Sequence, residues 1–316
     1  MGELEHVPVL LHEAVEALSV KPSGIYIDGT MGGGGHSLAI ARQLTQGRLI
    51  GIDKDEYAHR RAGERLAQVL DRMTFVRDDF SNLEQILDRL QIERFDGLLL
   101  DLGVSSFQLD DAERGFSYSK EAPLDMRMDR TAPLTAETVV NTYGEEQLAN
   151  LIFRYGEERY SRRIAAAIVK QRQQAPIATT TQLAALIASA MPAAARREAQ
   201  HPAKRTFQAL RIEVNHELDG IEQTLRTAAS RLNPGGRICV ITFHSLEDRI
   251  VKETFASLAQ GCTCPKEFPV CICGKKPVVR LVGRKPVTPG QKELSENPRS
   301  RSAKLRVAEK LEGQSE

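Results

Sequence analysis

Five glycines, Gly29, Gly32, Gly33, Gly34 and Gly35, fall within seven residues. They sit behind the β-rich run Ile25-Tyr26-Ile27-Asp28 and ahead of a helical stretch from Ser37 to Gln43. Glycine weakens any helix or strand that contains it, so such a run has few uses. One is a strand-to-helix turn in which positive φ angles cost nothing and a ligand can lie against bare peptide groups. A tight turn with no ligand is the plainer alternative, but it would need fewer glycines.

The spacing narrows the ligand. A dinucleotide fingerprint wants glycines at i, i+2 and i+5. From Gly29 the i+2 residue is Met31, and from Gly32 the i+5 residue is Ser37. No Lys-Ser or Lys-Thr pair follows, so a Walker phosphate loop is excluded too. Asp53 closes the next β-rich run about 20 residues past the glycines, where a carboxylate can accept both ribose hydroxyls. An adenosine cofactor without a pyrophosphate, S-adenosylmethionine, fits what remains.

Strand candidates at Ile25–Asp28, Arg48–Asp53, Met73–Arg77 and Phe95–Asp101 alternate with helical patterns, the signature of a doubly wound α/β domain with a parallel sheet. Ser81-Asn82-Leu83-Glu84 reads as a capping box, with Leu83, Ile86, Leu87 and Leu90 forming one apolar stripe behind it. The next good strand is Arg237 to Phe243, after the turn Asn233-Pro234-Gly235-Gly236. The intervening stretch is Ala-rich and helical, with a second capping box at Thr179 to Gln182 and a stripe of Leu183, Leu186, Ile187 and Ala190. A structureless loop of that length would be improbable. The expected organisation is therefore a core of residues 1–109 and 206–316 around an inserted helical domain, 110–205.

Net charge over the chain is +1, yet residues 261–310 hold 12 Lys or Arg against 4 Asp or Glu. A solvated basic tail and a polyanion partner are equally good readings of that block. No apolar run reaches the roughly 18 residues of a membrane helix, and the Met1-Gly2-Glu3-Leu4-Glu5-His6 start has no signal-peptide character. A cytoplasmic protein with no membrane partner is expected, as monomer or homodimer. Four of the five cysteines, Cys262, Cys264, Cys271 and Cys273, cluster within twelve residues. They would suit a zinc knuckle or remain as thiols; zinc usually prefers two-residue spacers, and these have one. The sequence alone points to no metal ligand.

Four segments together resemble the ribosomal small-subunit RNA methyltransferase H family: Asp28 to His36, Leu100 to Asp110, Pro123 to Asp129, and Phe243-His244-Ser245-Leu246-Glu247-Asp248-Arg249. The similarity extends from His6-Val7-Pro8-Val9 to Asn297 through Ser302. It implies a Rossmann-like S-adenosylmethionine-dependent methyltransferase core whose inserted helical domain recognises substrate. It implies, as activity, methylation of N4 of a cytidine in the decoding region of 16S ribosomal RNA, with that RNA or the small ribosomal subunit as partner. It further implies that Gly34, Gly35 and His36 contact the cofactor, that Asp53 holds its ribose, that Phe80 lies by the adenine, and that Asp101 and Gln108 complete the set. For His36 the alternative is a solvent-facing residue at a helix start, and for Phe80 it is core packing.

Asp101 is the candidate catalytic residue. A carboxylate at the carboxyl end of the fourth strand lies where open α/β sheets bind ligands. Cytosine's exocyclic nitrogen is a poor nucleophile because its lone pair is delocalised into the ring. A fixed carboxylate can orient it and accept its proton. Phe107 and Phe116 are candidates for stacking on the base. Methylation at ring carbon would call for a cysteine nucleophile after a proline, and no Pro-Cys dipeptide occurs. Arg154-Tyr155, Arg159 to Arg163 and His201 to Phe207 interleave cations with rings and suit RNA contacts. After the fifth strand, Ser245 and Asp248 are positioned to cap the next helix. A binding-only assembly factor and a small-molecule methyltransferase remain the competing readings.

Overall fold

The computed structural model describes residues 8–196, 200–265, 270 and 272–312. It divides into two compact units, residues 1–103 with 219–316, and residues 104–218. His6, Val7 and Cys271 lie outside the described residues.

The first unit holds one seven-stranded sheet: β1 (Ile25–Asp28), β2 (Arg48–Asp53), β3 (Met73–Arg77), β4 (Phe95–Asp101), β5 (Leu232–Thr242), β6 (Val279–Leu281) and β7 (Lys304–Lys310). Their order is β3-β2-β1-β4-β5-β7-β6. β1 to β5 pair in parallel, whereas β7 runs antiparallel to both β5 and β6. The strand order reverses at β1 and β4, the switch point at which doubly wound sheets open a crevice beyond their carboxyl ends. Parallel strands covered on both faces must be apolar throughout, and Leu98, Leu99 and Leu100 in β4 are accordingly fully buried.

The first four strands lie at the expected residues. β5 starts five residues earlier than expected, because the register jumps from Phe95 opposite Leu232 to Gly97 opposite Arg237. The Asn233-Pro234-Gly235-Gly236 turn is thus looped out of β5, with Gly235 at φ 74°. β6 and β7 were not expected and fall inside the basic block. Lys304 and Arg306 pair with Asp248 at 2.9 and 2.6 Å, and Arg280 and Arg237 share Glu309 at 2.6 and 2.9 Å. Part of the block's charge is therefore committed to holding the sheet's antiparallel edge. Both carboxyls are held below their usual range, with hydrogen bonds from these cations opposing the cost of burial.

Two caps differ from expectation. The turn before the helix Leu83–Arg89 is capped by Asp79, whose side chain accepts from Ser81 N at 2.9 Å; Ser81 itself makes no capping box. A short 3₁₀ turn at Phe80–Asn82 precedes the helix and moves the cap upstream. The helix Ser245–Ala259 is capped by His244 with Glu247, one residue ahead of the Ser245 and Asp248 pair. Asp248 is drawn instead to the cations of β7.

The second unit is helical, built from Ala136–Thr142, Glu145–Gly156, Ser161–Arg172, Thr180–Ala190 and Lys204–Asn215 with shorter turns. Its core includes Leu148, Ile152, Ile164, Ile168, Leu183, Ile187, Phe207 and Leu210. The Thr179–Gln182 capping box is formed as expected. The helix Lys204–Asn215 buries Phe207, Leu210 and Val214 in this core, so the units divide at 103/104 and 218/219 rather than at 109/110 and 205/206. The Pro123–Asp129 segment is knitted by hydrogen bonds: Arg127 grips Asp125 through Nε and Nη2, each at 2.8 Å, while buried Arg114 donates to the carbonyls of Arg127 and Met128. Among the described residues, no helix is long and apolar enough to cross a membrane.

Candidate functional site

The glycine turn leaves β1 at Gly29 and enters the helix Gly35–Ala41. Gly32 and Gly34 adopt φ of 51° and 77°, which a side chain would resist. Among the described residues, a Cβ at Gly33 would meet nothing within 4 Å, and one at Gly32 only the Thr30 carbonyl oxygen at 3.8 Å, so they leave the turn open on that side. Three carboxylates from adjacent strand ends surround it.

Asp53, at the end of β2, fastens the turn: Oδ2 accepts from Gly32 N and Oδ1 from Asp55 N, both at 2.8 Å. Each oxygen keeps a second lone pair for a ligand. Burial raises its pKa, and the two backbone donors oppose that rise. Asp28, at the end of β1, accepts from Ser37 Oγ at 2.6 Å and Thr30 N at 3.2 Å. It is 1% exposed, and burial lifts its pKa to about 6 despite both bonds.

Asp101, at the end of β4, is joined to the same turn by its backbone N–H, which donates to Thr30 Oγ1 at 2.6 Å. Its Oδ2 lies 3.6 Å from His36 Nδ1. Its Oδ1 is buried and has no hydrogen-bond partner among the described residues. A buried carboxylate oxygen left unpaired is costly and calls for an explanation. Burial, then the neighbouring charges of Asp28 and Glu247, push its pKa well above the ordinary carboxylate value.

His36 is 5% exposed, and its Nε2 lies 3.2 Å from the Val9 carbonyl, so the solvent-facing alternative does not apply. A carbonyl only accepts, so that contact assigns the proton to Nε2 and turns Nδ1 toward Asp101. Phe80 starts the 3₁₀ turn after β3, and a Cβ on Gly29 would fall 3.3 Å from Phe80 Cβ, which places this ring's root against the turn. Gly34, Gly35, His36, Asp53, Phe80 and Asp101 thus gather in one unit at the ends of β1 to β4. Gln108 belongs to the other unit, where its Oε1 accepts from Ser105 N at 3.0 Å in a capping box. Phe116 is 6% exposed within that unit's core, with the Arg114 guanidinium 5.9 Å from its ring centre.

Glu247 was missed by the sequence reading. It is 1% exposed, its Oε2 accepts from Phe243 N at 2.8 Å and His244 N at 3.2 Å, and its charge bears on Asp101. The available signal was a Glu at the third position of the helix after β5, which a His cap concealed. Cys239 is fully buried, with its thiol pushed up to about 12, and is no nucleophile.

The raised Asp28 has a consequence for stability. The folded state holds its proton to about pH 6, whereas the unfolded chain releases it near 3.8. Between those values the folded state binds more protons, so this group's contribution to stability falls as pH rises. Asp28→Asn is therefore expected to gain stability relative to the parent from pH 4 to pH 7, by at most about 3 kcal/mol. Urea unfolding of both proteins across that range checks it; a difference that does not change with pH would refute the assignment.

The sequence matches the model of the MraW methylase family over residues 3–311. It is 57% identical over 308 residues to "Ribosomal RNA small subunit methyltransferase H" of Symbiobacterium thermophilum, covering 97% of each chain. The protein of that name from Brevibacillus brevis is 55% identical over 307 residues, covering 97% of this chain and 98% of its own. That from Clostridioides difficile is 52% identical over 310 residues, covering 98% of this chain and 100% of its own. With the family's model spanning nearly the whole sequence and relatives this close, the chain belongs to the MraW methylase family.

Proposed function

We propose that this protein methylates the N4 amine of a cytidine in the decoding region of 16S ribosomal RNA, using S-adenosylmethionine. The observation that carries the chemistry is Asp101 Oδ1, buried beside the glycine turn without a hydrogen-bond partner among the described residues. The names of the relatives support ribosomal RNA of the small subunit as substrate. The buried, unreactive Cys239 favours an amine over a ring carbon.

The residues fit the cofactor: an open glycine turn, a ribose-ready carboxylate at Asp53, and an unpaired acceptor next to both. Gly34 and Gly35 would lie along it, Asp53 would take the ribose hydroxyls, and Phe80 would flank the adenine. Gln108 is carried over from the family resemblance alone. When bound, S-adenosylmethionine supplies an electrophilic methyl on a sulfonium. Asp101 Oδ1 accepts one N–H of the cytosine amine, which turns the nitrogen's lone pair out of conjugation with the ring. The same oxygen takes the proton that the amine sheds on alkylation. His36, pinned through Nε2, sets its ring beside Asp101 Oδ2, and the charge of Glu247 raises the basicity of Asp101. The helical unit is the proposed substrate-recognition domain.

Small ribosomal subunits or their RNA, incubated with the protein and isotopically labelled S-adenosylmethionine, are expected to yield N4-methylated cytidine by nucleoside mass spectrometry. Label on a ring carbon or on another base would overturn the chemistry, and no label would leave only a binding protein.

RNA contact has its own test. Arg162, Arg163, Lys204 and Arg205 are exposed on the helical unit. Each phosphate contact contributes about 0.7 to 0.9 to the slope of log affinity against log salt. Changing all four to Gln is expected to flatten that slope by about 3 in filter-binding titrations. An unchanged slope would move the RNA elsewhere on the surface.

A further inference from the structure

The helix Ser245–Ala259 is joined to β6 by residues 260–278, in which the described residues form neither helix nor strand. Among its described residues, Val270 and Ile272 are 71% and 75% exposed. A connection this long inside a compact unit needs something to hold it. Those two exposed apolar side chains do not supply it.

Cys262, Cys264 and Cys273 meet in this segment, with all three sulfurs within 4.8 Å of one another. Cys262 and Cys273 are 3.7 Å apart at Sγ, far beyond a bond between sulfurs, which is about 2.05 Å. Tetrahedral zinc with Zn–S of about 2.3 Å sets neighbouring sulfurs about 3.8 Å apart, a length that 3.7 Å matches. Each sulfur also faces a backbone donor at 3.4 Å: Thr263 N to Cys273, Cys264 N to Cys262, and Ile272 N to Cys264. A neutral thiol is a weak acceptor. Three amides aimed at three sulfurs are the outer-shell bonds that metal-bound thiolates attract.

We propose that Cys262, Cys264 and Cys273 bind a Zn²⁺ ion that fixes the connection between the helix Ser245–Ala259 and β6. The single-residue spacer of Cys262-Thr263-Cys264 is unusual for zinc, and the third sulfur comes from Cys273, nine residues further on. Binding displaces the thiol protons, so occupancy falls at low pH.

The full chain, purified under reducing conditions without chelator, is expected to carry about one Zn²⁺ by elemental mass spectrometry. A Cys262→Ser, Cys273→Ser double variant should retain under about a tenth of that, and Cys239→Ala should retain it all. A measurement on the unmutated chain guards against a misfolded variant. Stripped and titrated with Co²⁺ alone, it should develop thiolate-to-cobalt charge transfer and the intense visible bands of tetrahedral cobalt. The proposal is overturned by a chain with reduced thiols and no stoichiometric metal, by metal that persists in the double variant, or by a Cys262–Cys273 disulfide in unreduced peptide maps.

Discussion

Asp101→Asn is expected to lower kcat for methyl transfer by about three orders of magnitude, within the 10²- to 10⁴-fold range of a positioned proton acceptor. Asn keeps the shape and can still meet an amine, but it cannot take a proton. The Asp101 backbone bond to Thr30 is untouched, so cofactor affinity should hold within a few fold. In the parent, protonation of Asp101 removes the acceptor, so kcat/KM should fall as pH drops through a pKa well above the ordinary carboxylate value. The variant should lose that limb of the profile. Stability should move the other way: a carboxylate whose folded pKa is raised weakens the fold above its unfolded pKa, and Asn removes the penalty. A variant that is slow because it is unfolded would show the opposite, and a variant with parental kcat would strike Asp101 from the mechanism.

Asp53→Ala is expected to raise the Kd for S-adenosylmethionine by about 100-fold or more. Hydrogen bonds to a charged group contribute roughly 1.5 to 3 kcal/mol each, and two ribose hydroxyls are at stake. The substitution also releases the N–H groups of Gly32 and Asp55, which loosens the turn itself. Asp53→Asn, which keeps an acceptor for one of those amides, should lose less. Calorimetry with the cofactor and filter binding with RNA separate the effects: RNA affinity should not change. Equal losses for both ligands would point to general unfolding, and an unchanged cofactor Kd would remove Asp53 from the ribose.

The strands β1 to β4 were legible because buried parallel strands are short apolar runs with sharp ends, and those of Ile25–Asp28 and Phe95–Asp101 finish on carboxylates. The glycine turn and Asp101 stood out for the same reason, since polar residues at strand ends interrupt the apolar pattern. β7 was hidden by its composition. Leu305 and Val307 alternate with Lys304 and Arg306, but the cations dominated the reading until their partner, Asp248, was visible 56 and 58 residues away. Such pairing has no local signature. His244 concealed Glu247 because His is not among the preferred helix caps. The unpaired state of Asp101 Oδ1 could not be read at all, as it depends on what several distant segments leave undone.

The sheet order also constrains how the protein comes to be. β5 pairs with β4 on one side and on the other with β7, whose residues are made some 60 positions later. Until they emerge from the translating machinery, β5 presents an open row of backbone donors and acceptors to any passing chain. Contacts between such distant segments close slowly. A nascent copy of this enzyme therefore carries its aggregation hazard in the fifth strand, and residues 304–310 serve as the shutter that ends it.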